Sequence, residues 1–132
     1  MLTLPAMDIA MQRPLVRVPV AASFILQSGT LVHEFDAEEL PVHLGRAREA
    51  EFPVFDPRVS RLHARIEWRG QGFVLVDLSS YGTCVRFAGS ATELRLRREE
   101  CALHDSGEIA LGPDFGDFTV PTVRFGLRNR AA

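Results

Sequence analysis

Three short stretches place arginine, serine and glycine where the chain must reverse direction. They are Gly45-Arg46, Val59-Ser60-Arg61-Leu62-His63-Ala64 and Asp77-Leu78-Ser79-Ser80-Tyr81-Gly82-Thr83. Arg46 and Arg61 supply guanidinium forks, and Ser60 and Ser80 supply hydroxyl donors, a set that matches an oxyanion of tetrahedral shape. A phosphate ester carries about −1.5 to −2 charges near neutral pH and three strong acceptor oxygens, so two arginines and two hydroxyls satisfy it without a metal. The chemistry expected of these residues is capture of a phosphate, with no turnover.

Each cluster taken singly also reads as ordinary turn chemistry: a solvated arginine at a strand end, or serines feeding a strand. Asp77, at a strand end with Ser79 and Ser80 behind it, reads as a carboxylate that caps a turn by accepting backbone N–H bonds. Ser60, His63 and Asp77 have the residue types of a hydrolase triad, but no G-x-S-x-G elbow or glycine loop accompanies them, and catalysis is not expected. His33, His43, His63 and His104 show neither helical i, i+4 pairing nor a close pair with cysteines, so no metal is expected. Cys84 and Cys101 are isolated thiols, read as small buried apolar residues. No cofactor is called for.

Residues positioned in this way need short elements ending at a common rim. From Ser23 onward the chain alternates brief apolar runs with turn residues, predicting strands over Phe24–Leu26, Leu31–Phe35, Val42–Leu44, Phe52–Phe55 and Ala64–Arg69. In Ala64–Arg69, Ala64, Ile66 and Trp68 share one face and Arg65, Glu67 and Arg69 the other, as a sheet with one wet face requires. Gly70-Gln71-Gly72 turns the chain back into Phe73–Leu78, whose nearly continuous apolar run predicts a strand central in its sheet or buried on both faces. Further strands are expected over Cys84–Phe87, Glu93–Leu96, Glu108–Leu111 and Thr122–Leu127. Arg95 to Glu100 mixes charges and reads as a solvated strand edge that discourages pairing with other chains. The only helix-compatible piece is Ala47–Glu51, and it is short.

About ten short strands without a fixed repeat argue for an all-β, two-sheet sandwich. The 132 residues suffice for one domain, which at that size hides roughly two thirds of its unfolded surface without staples. The expected organisation is a leader or linker over 1–22, with Pro5, Pro14, Pro19 and a possible short strand at Val16–Val20, then a folded domain over 23–128 and a tail over 129–132. No run of apolar residues is long enough to span a bilayer, and Asp8 stands where a signal peptide would be basic. A cytoplasmic address is therefore expected, without membrane association. The net charge of −2 offers no global attraction to nucleic acid. All 15 basic residues are arginine, which suits forked phosphate recognition and equally reflects a compositional bias of the source.

The ordered set Gly45-Arg46, Ser60-Arg61-Leu62-His63 and Asp77-Leu78-Ser79-Ser80-Tyr81-Gly82-Thr83 resembles the signature of the forkhead-associated (FHA) domain family. The resemblance covers about Ser23 to Leu127, and Leu103 to Gly112 is similar to the family's late strand pair, with its glycine displaced. It implies a sandwich of about eleven strands, both termini at one end, and loops at the other that bind phosphothreonine peptides. Carried over by position, Arg46 and Ser60 match the principal phosphate contacts, Ser80 a supporting hydroxyl and Arg61 an assisting arginine. Gly45, His63, Asp77, Gly82 and Thr83 support the loops, His63 as a buried brace. Arg58 matches a position that helps select a peptide residue three beyond the phosphothreonine, with an acidic preference expected.

One residue departs from the family pattern. Tyr81 stands where an asparagine usually clasps the peptide backbone, and a phenol cannot reproduce the paired amide donor and acceptor. Two functions therefore stay open. One is a phosphothreonine-peptide module, as a free-standing adaptor or the regulatory part of a larger signalling protein with a kinase or nucleotide cyclase as possible catalytic partner. The other is a phosphate-independent assembly or intramolecular regulatory module on the same scaffold. The Ser-Ser-Tyr-Gly-Thr variant and the absence of lysine point to a bacterial source.

Overall fold

The computed structural model describes residues 22–129 except Gln71 and Phe118. Residues 1–21, with the expected strand at Val16–Val20, and residues 130–132 lie outside the described residues. In chain order the strands are β1 (Ala22–Ser28), β2 (Leu31–Asp36), β3 (Val42–Gly45), β4 (Phe52–Pro53), β5 (Ala64–Arg69), β6 (Gly72–Asp77), β7 (Thr83–Phe87), β8 (Leu94–Leu96), β9 (Glu100–Leu103), β10 (Ser106–Ala110) and β11 (Thr122–Asn129). They form two sheets, a six-stranded one in the order β2-β1-β11-β10-β7-β8 and a five-stranded one in the order β4-β3-β5-β6-β9. All pairings are antiparallel except that of β3 with β4.

The two-residue period of the strands builds the core between the sheets. Phe24, Leu26, Val85, Ile109 and Val123 point inward from the larger sheet, and Val42, Leu44, Ile66 and Leu75 from the smaller; all are essentially inaccessible to solvent. Phe24 stacks on Phe35 with ring centroids 5.4 Å apart and meets Phe73 of the opposite sheet edge-on at 5.1 Å. Burial of each such side chain contributes about 1.5–3 kcal/mol, and the aromatic contacts lock the sheets face to face.

β5 and β6 form the expected hairpin, with Ala64 opposite Asp77 and Arg69 opposite Gly72. β6 lies between β5 and β9, central in its sheet, but its faces differ: Phe73, Leu75 and Asp77 are buried while Val74 and Val76 are only half-buried. Three elements differ from the sequence expectation. The strand over Phe52–Phe55 stops at Pro53 and Phe55 is 74% exposed, because the chain bends after Val54 N–H has bonded to Gly45 O at 2.7 Å and Asp56 N–H turns back to Val54 O at 3.1 Å; Pro53 fits this edge strand because its missing N–H faces away from β3. β9, at the other edge of that sheet, pairs with β6 from Val76↔Glu100 to Phe73↔Leu103, so the charged stretch read as a strand edge leads into a strand of its own. Ala47–Glu51 is turn and bend, and the short helical turn falls instead on Ala37–Glu39, where Asp36 N–H donates to the Glu39 carboxylate at 2.9 Å as in a capping box.

Register fixes which loops meet. Ala22 lies opposite Asn129 at one end of the sandwich. At the other, Leu44↔Ala64↔Asp77 and Cys84↔Ala110↔Thr122 bring together the ends of β3, β6 and β10 and the starts of β5, β7 and β11. The β3–β4, β4–β5, β6–β7 and β10–β11 loops therefore share one rim.

Candidate functional site

The rim is assembled by backbone bonds between loops far apart in sequence. Arg46 N–H donates to Ser60 O and Ala47 N–H to Arg61 O, both at 3.0 Å, and His63 N–H donates to Leu44 O at 2.8 Å. This lateral pairing presses Gly45 against the β4–β5 loop. A Cβ on Gly45 would stand 2.1 Å from Arg61 O and 2.8 Å from its carbonyl carbon, so only glycine permits the approach. Arg46 then projects to solvent while its Nε donates to Val59 O at 2.8 Å. That bond fixes the plane of the guanidinium, and among the described residues no carboxylate lies within ion-pair reach of it. An oriented fork with open terminal nitrogens is what a bidentate oxyanion contact requires.

Ser60 lies beside it, half-buried, and its Oγ accepts from Ser80 N–H at 3.4 Å. Arg46, Ser60 and Ser80 thus share one connected surface. Ser80 is exposed, whereas Ser79 is buried and structural: Ser79 Oγ donates to Asp77 Oδ1 at 2.6 Å and accepts from Gly82 N–H at 2.7 Å. Arg61, also exposed, extends toward Glu49 with Nη2 3.5 Å from Oε1, so it stands at the margin of the cluster.

Beneath these groups His63 is fully buried. Its Nδ1 accepts from Ser60 N–H at 3.1 Å and its Nε2 lies 2.9 Å from Gly82 O. The N–H donor at Nδ1 assigns the proton to Nε2, which donates to Gly82 O, so the neutral ring links the Ser60 loop to the Ser80 loop. Burial holds its pKa below the ordinary 6.5, against the opposing pull of the Gly82 carbonyl and the Asp77 charge. Ser60, His63 and Asp77 do not form a catalytic relay: the histidine receives the serine's backbone N–H, and Asp77 turns elsewhere.

Asp77 is buried and accepts four bonds. Oδ1 takes Ser79 N–H (3.2 Å), Ser79 Oγ (2.6 Å) and Thr83 Oγ1 (2.6 Å), and Oδ2 takes Arg98 N–H (2.8 Å). Burial alone would raise its pKa, but the Arg98 N–H and the two hydroxyls outweigh that and leave it below the usual carboxylate range. Arg98, which no sequence motif marked, takes a left-handed φ of 59° and donates from Nε to Ser79 O at 3.0 Å. Gly82 closes the loop at φ 104°, a conformation side chains rarely adopt.

Arg58 and Tyr81 lie together at one side of this cluster. They line a groove of about 340 Å³ whose other walls include Pro57, Leu111, Pro113, Val120 and Pro121. Arg58 is tethered: its guanidinium meets both Asp56 carboxylate oxygens, Thr119 O and, at 2.5 Å, Thr119 Oγ1. The bond to Asp56, with the nearby Asp117 charge, raises its pKa and lowers that of Asp56, while the Asp117 carboxyl is lowered chiefly by the Thr119 hydroxyl and backbone N–H that donate to it. Tyr81 is 61% exposed. Leu111 and Gly112 belong to the stretch that resembles the family's late strand pair, whereas Pro113, Asp117, Val120 and Pro121, which complete the groove, carried no recognisable motif.

The other candidates separate. His33 stacks on Phe35, His104 on Phe87, and His43 pairs with Glu51, so the four histidines lie in different places. Among the described residues no group of three or more His, Cys, Asp or Glu converges on a point, and no helix is long and apolar enough to cross a membrane. Cys84 is buried, Cys101 half-buried, and burial pushes both thiols up to about 11, which leaves them protonated and unreactive near neutral pH.

Comparison with known proteins gives a consistent result. The family model for the FHA domain matches residues 42–112, more than half of the chain. The chain is similar to the FHA-1 domain of Mycobacterium tuberculosis Rv1747, at 19% identity over 81% of this chain and 97% of that one, with a TM-score of 0.63. It is similar to the FhaA FHA domain solved in complex with the intracellular domain of Rv3910, at 26% identity over 82% of this chain and 100% of that one, TM-score 0.54. A third solved domain, studied for phosphothreonine-dependent FHA interactions, shares 28% identity over 80% of this chain and 95% of that one, TM-score 0.55. No curated protein sequence matches the chain.

Proposed function

The chain belongs to the FHA-domain family, and from that membership we propose that it is a phosphothreonine-peptide recognition module that binds its partner and carries out no chemistry on it. The observation that carries this reading is the Arg46 guanidinium, aimed by its Nε bond to Val59 O and set beside Ser60, whose Oγ meets Ser80 N–H. In this reading Arg46 takes two phosphate oxygens, the Ser60 and Ser80 hydroxyls donate to the remainder, and Arg61 adds long-range attraction from the margin. Gly45, His63, Asp77, Gly82 and Thr83 hold the loops in place before the ligand arrives, so that little ordering cost is met on binding. Two relatives above 25% identity support the assignment, one bound to a protein domain and one studied for phosphothreonine dependence.

A cytoplasmic, bacterial signalling role fits the family and the mycobacterial neighbour, with the domain acting as an adaptor or as the regulatory part of a larger protein linked to a kinase or nucleotide cyclase. Tyr81 favours one alternative: with no amide clasp at its position, the rim acts as a phosphate-independent assembly surface. Fluorescence anisotropy with a labelled phosphothreonine peptide pool separates the two. Arg46→Ala, with folding verified by circular dichroism, is expected to weaken binding by roughly 10- to 100-fold, the loss of a charge-assisted contact. Unchanged affinity in the folded variant would favour the assembly surface.

A further inference from the structure

Among the described residues each sheet ends in two edge strands, and three of the four are closed to pairing. β4 is two residues long and carries Pro53, β8 is three residues long with Arg95 at its centre, and β9 opens on Glu100, which pairs with Arg69. Shortness, proline and charge are the usual guards against strand addition. β2 is six residues long without proline or arginine, and its Leu31 and Val32 are 42% and 55% exposed. Its mid-strand charge, Glu34, is drawn back over β1 by the Ser23 hydroxyl, which donates to Oε2 at 2.8 Å. The hairpin sets which backbone groups face the open edge. β1 and β2 join through the two-residue turn Gly29-Thr30, with Gly29 at φ 60°, so Ser28↔Leu31, Leu26↔His33 and Phe24↔Phe35 are the hydrogen-bonded pairs. The N–H and C=O groups of Val32, Glu34 and Asp36 therefore point outward. Asp36 N–H is taken by the Glu39 carboxylate, and among the described residues Val32 and Glu34 have no backbone partner on that side.

We propose that β2 is a self-association surface, on which a second copy of the chain adds its own β2 antiparallel across a twofold axis at His33. The occupant is a second copy because the edge is complementary to itself. In this register Val32 lies opposite Glu34 of the second copy, so the open N–H and C=O groups of these two residues satisfy one another. On the inner face Leu31 meets Phe35 of the second copy, and the exposed leucine is covered. A shift that centres the axis on Glu34 would oppose two carboxylates and call on the Asp36 N–H that Glu39 already holds. A shift that centres it on Val32 would set Phe35 against the turn. Because the paired strands run antiparallel, the two Arg46 clusters stand at opposite ends of the joined sheet and both stay open. The pairing is independent of what the rim binds.

Sedimentation velocity of the whole chain at rising concentration is expected to pass from a species of 14.7 kDa to one of twice that mass. Val32→Glu, which sets a carboxylate opposite Glu34 of the second copy, is expected to hold the chain as a folded monomer. Adding Glu34→Arg is expected to restore the dimer by exchanging repulsion for attraction. Mild oxidation of His33→Cys reads the register: opposed residues of a non-hydrogen-bonded pair have Cα atoms about 4.5 Å apart, within disulfide reach. A covalent dimer is expected from His33→Cys and not from Glu34→Cys, nor from the parent chain, whose two thiols are buried or half-buried. Three results would each overturn the proposal: a chain that stays monomeric up to about 1 mM, a dimer indifferent to Val32→Glu when circular dichroism matches the parent, or crosslinking through Glu34→Cys in place of His33→Cys.

Discussion

Two adjacent serines with opposite duties show how finely the rim is divided. Ser79 is buried between Asp77 and Gly82, whereas Ser80 is exposed beside Ser60. Ser79→Ala strips Gly82 N–H of its acceptor, and urea unfolding is expected to show a loss of about 1–3 kcal/mol. Ser80→Ala is expected to leave the unfolding midpoint unchanged and to weaken phosphopeptide binding several-fold. The reverse pattern would exchange their roles. At this scale the sequence was partly legible. Asp77 was expected as a turn cap from its residue type at a strand end, and His63 as a brace only through the family resemblance. Arg98 and Thr119 carry no such signal, because each meets its partner only through tertiary contact: Arg98 N–H reaches Asp77 across 21 positions and Thr119 reaches Arg58 across 61.

At the scale of elements, the site depends on how closely the β3 end approaches the β4–β5 loop. Gly45→Ala would place a methyl group 2.1 Å from Arg61 O, and both backbones would have to part. The expected cost is at least about 2 kcal/mol, read by denaturant unfolding of Trp68, the chain's single tryptophan, which packs edge-on against Phe73 with centroids 4.9 Å apart. Unaltered stability in Gly45→Ala would mean that the two loops are not in contact. Strands with alternating or apolar faces were legible from periodicity. β9 was not, because it begins in a charged run and only Cys101 and Leu103 among its residues turn toward the interior. β4 ends early because the chain bends after the Val54 N–H bond to Gly45 O, and both that bend and the edge position are properties of the assembled sheet.

The whole molecule has two distinct ends: Ala22 and Asn129 pair at one pole, and the loops that bring Arg46, Ser60 and Ser80 together lie at the other. A partner on the rim therefore leaves the pole where the described chain begins and ends clear of the contact. The sandwich as such was legible, since alternation along many short strands admits few other architectures; which loops meet was legible only through the family signature. One titration belongs to this scale, because His63 joins two loops through the core. With its pKa held below 6.5 by burial, the folded chain binds fewer protons than the unfolded chain below that value. Stability is therefore full above about pH 6.5 and falls as pH drops through the folded pKa. Urea unfolding followed at Trp68 between pH 7.5 and 5 is expected to show this decline and His63→Gln to flatten it. Asp77 adds a second loss of the same sign below its ordinary 3.8.

The rim is expected to recognise a phosphate and not merely a peptide. Calorimetric titration with a phosphothreonine peptide and its unphosphorylated twin separates the two. Saturable binding of the phosphorylated form, with the twin at least about a hundredfold weaker, is the result predicted by the Arg46, Ser60 and Ser80 arrangement. Equal affinity for the two peptides would contradict it.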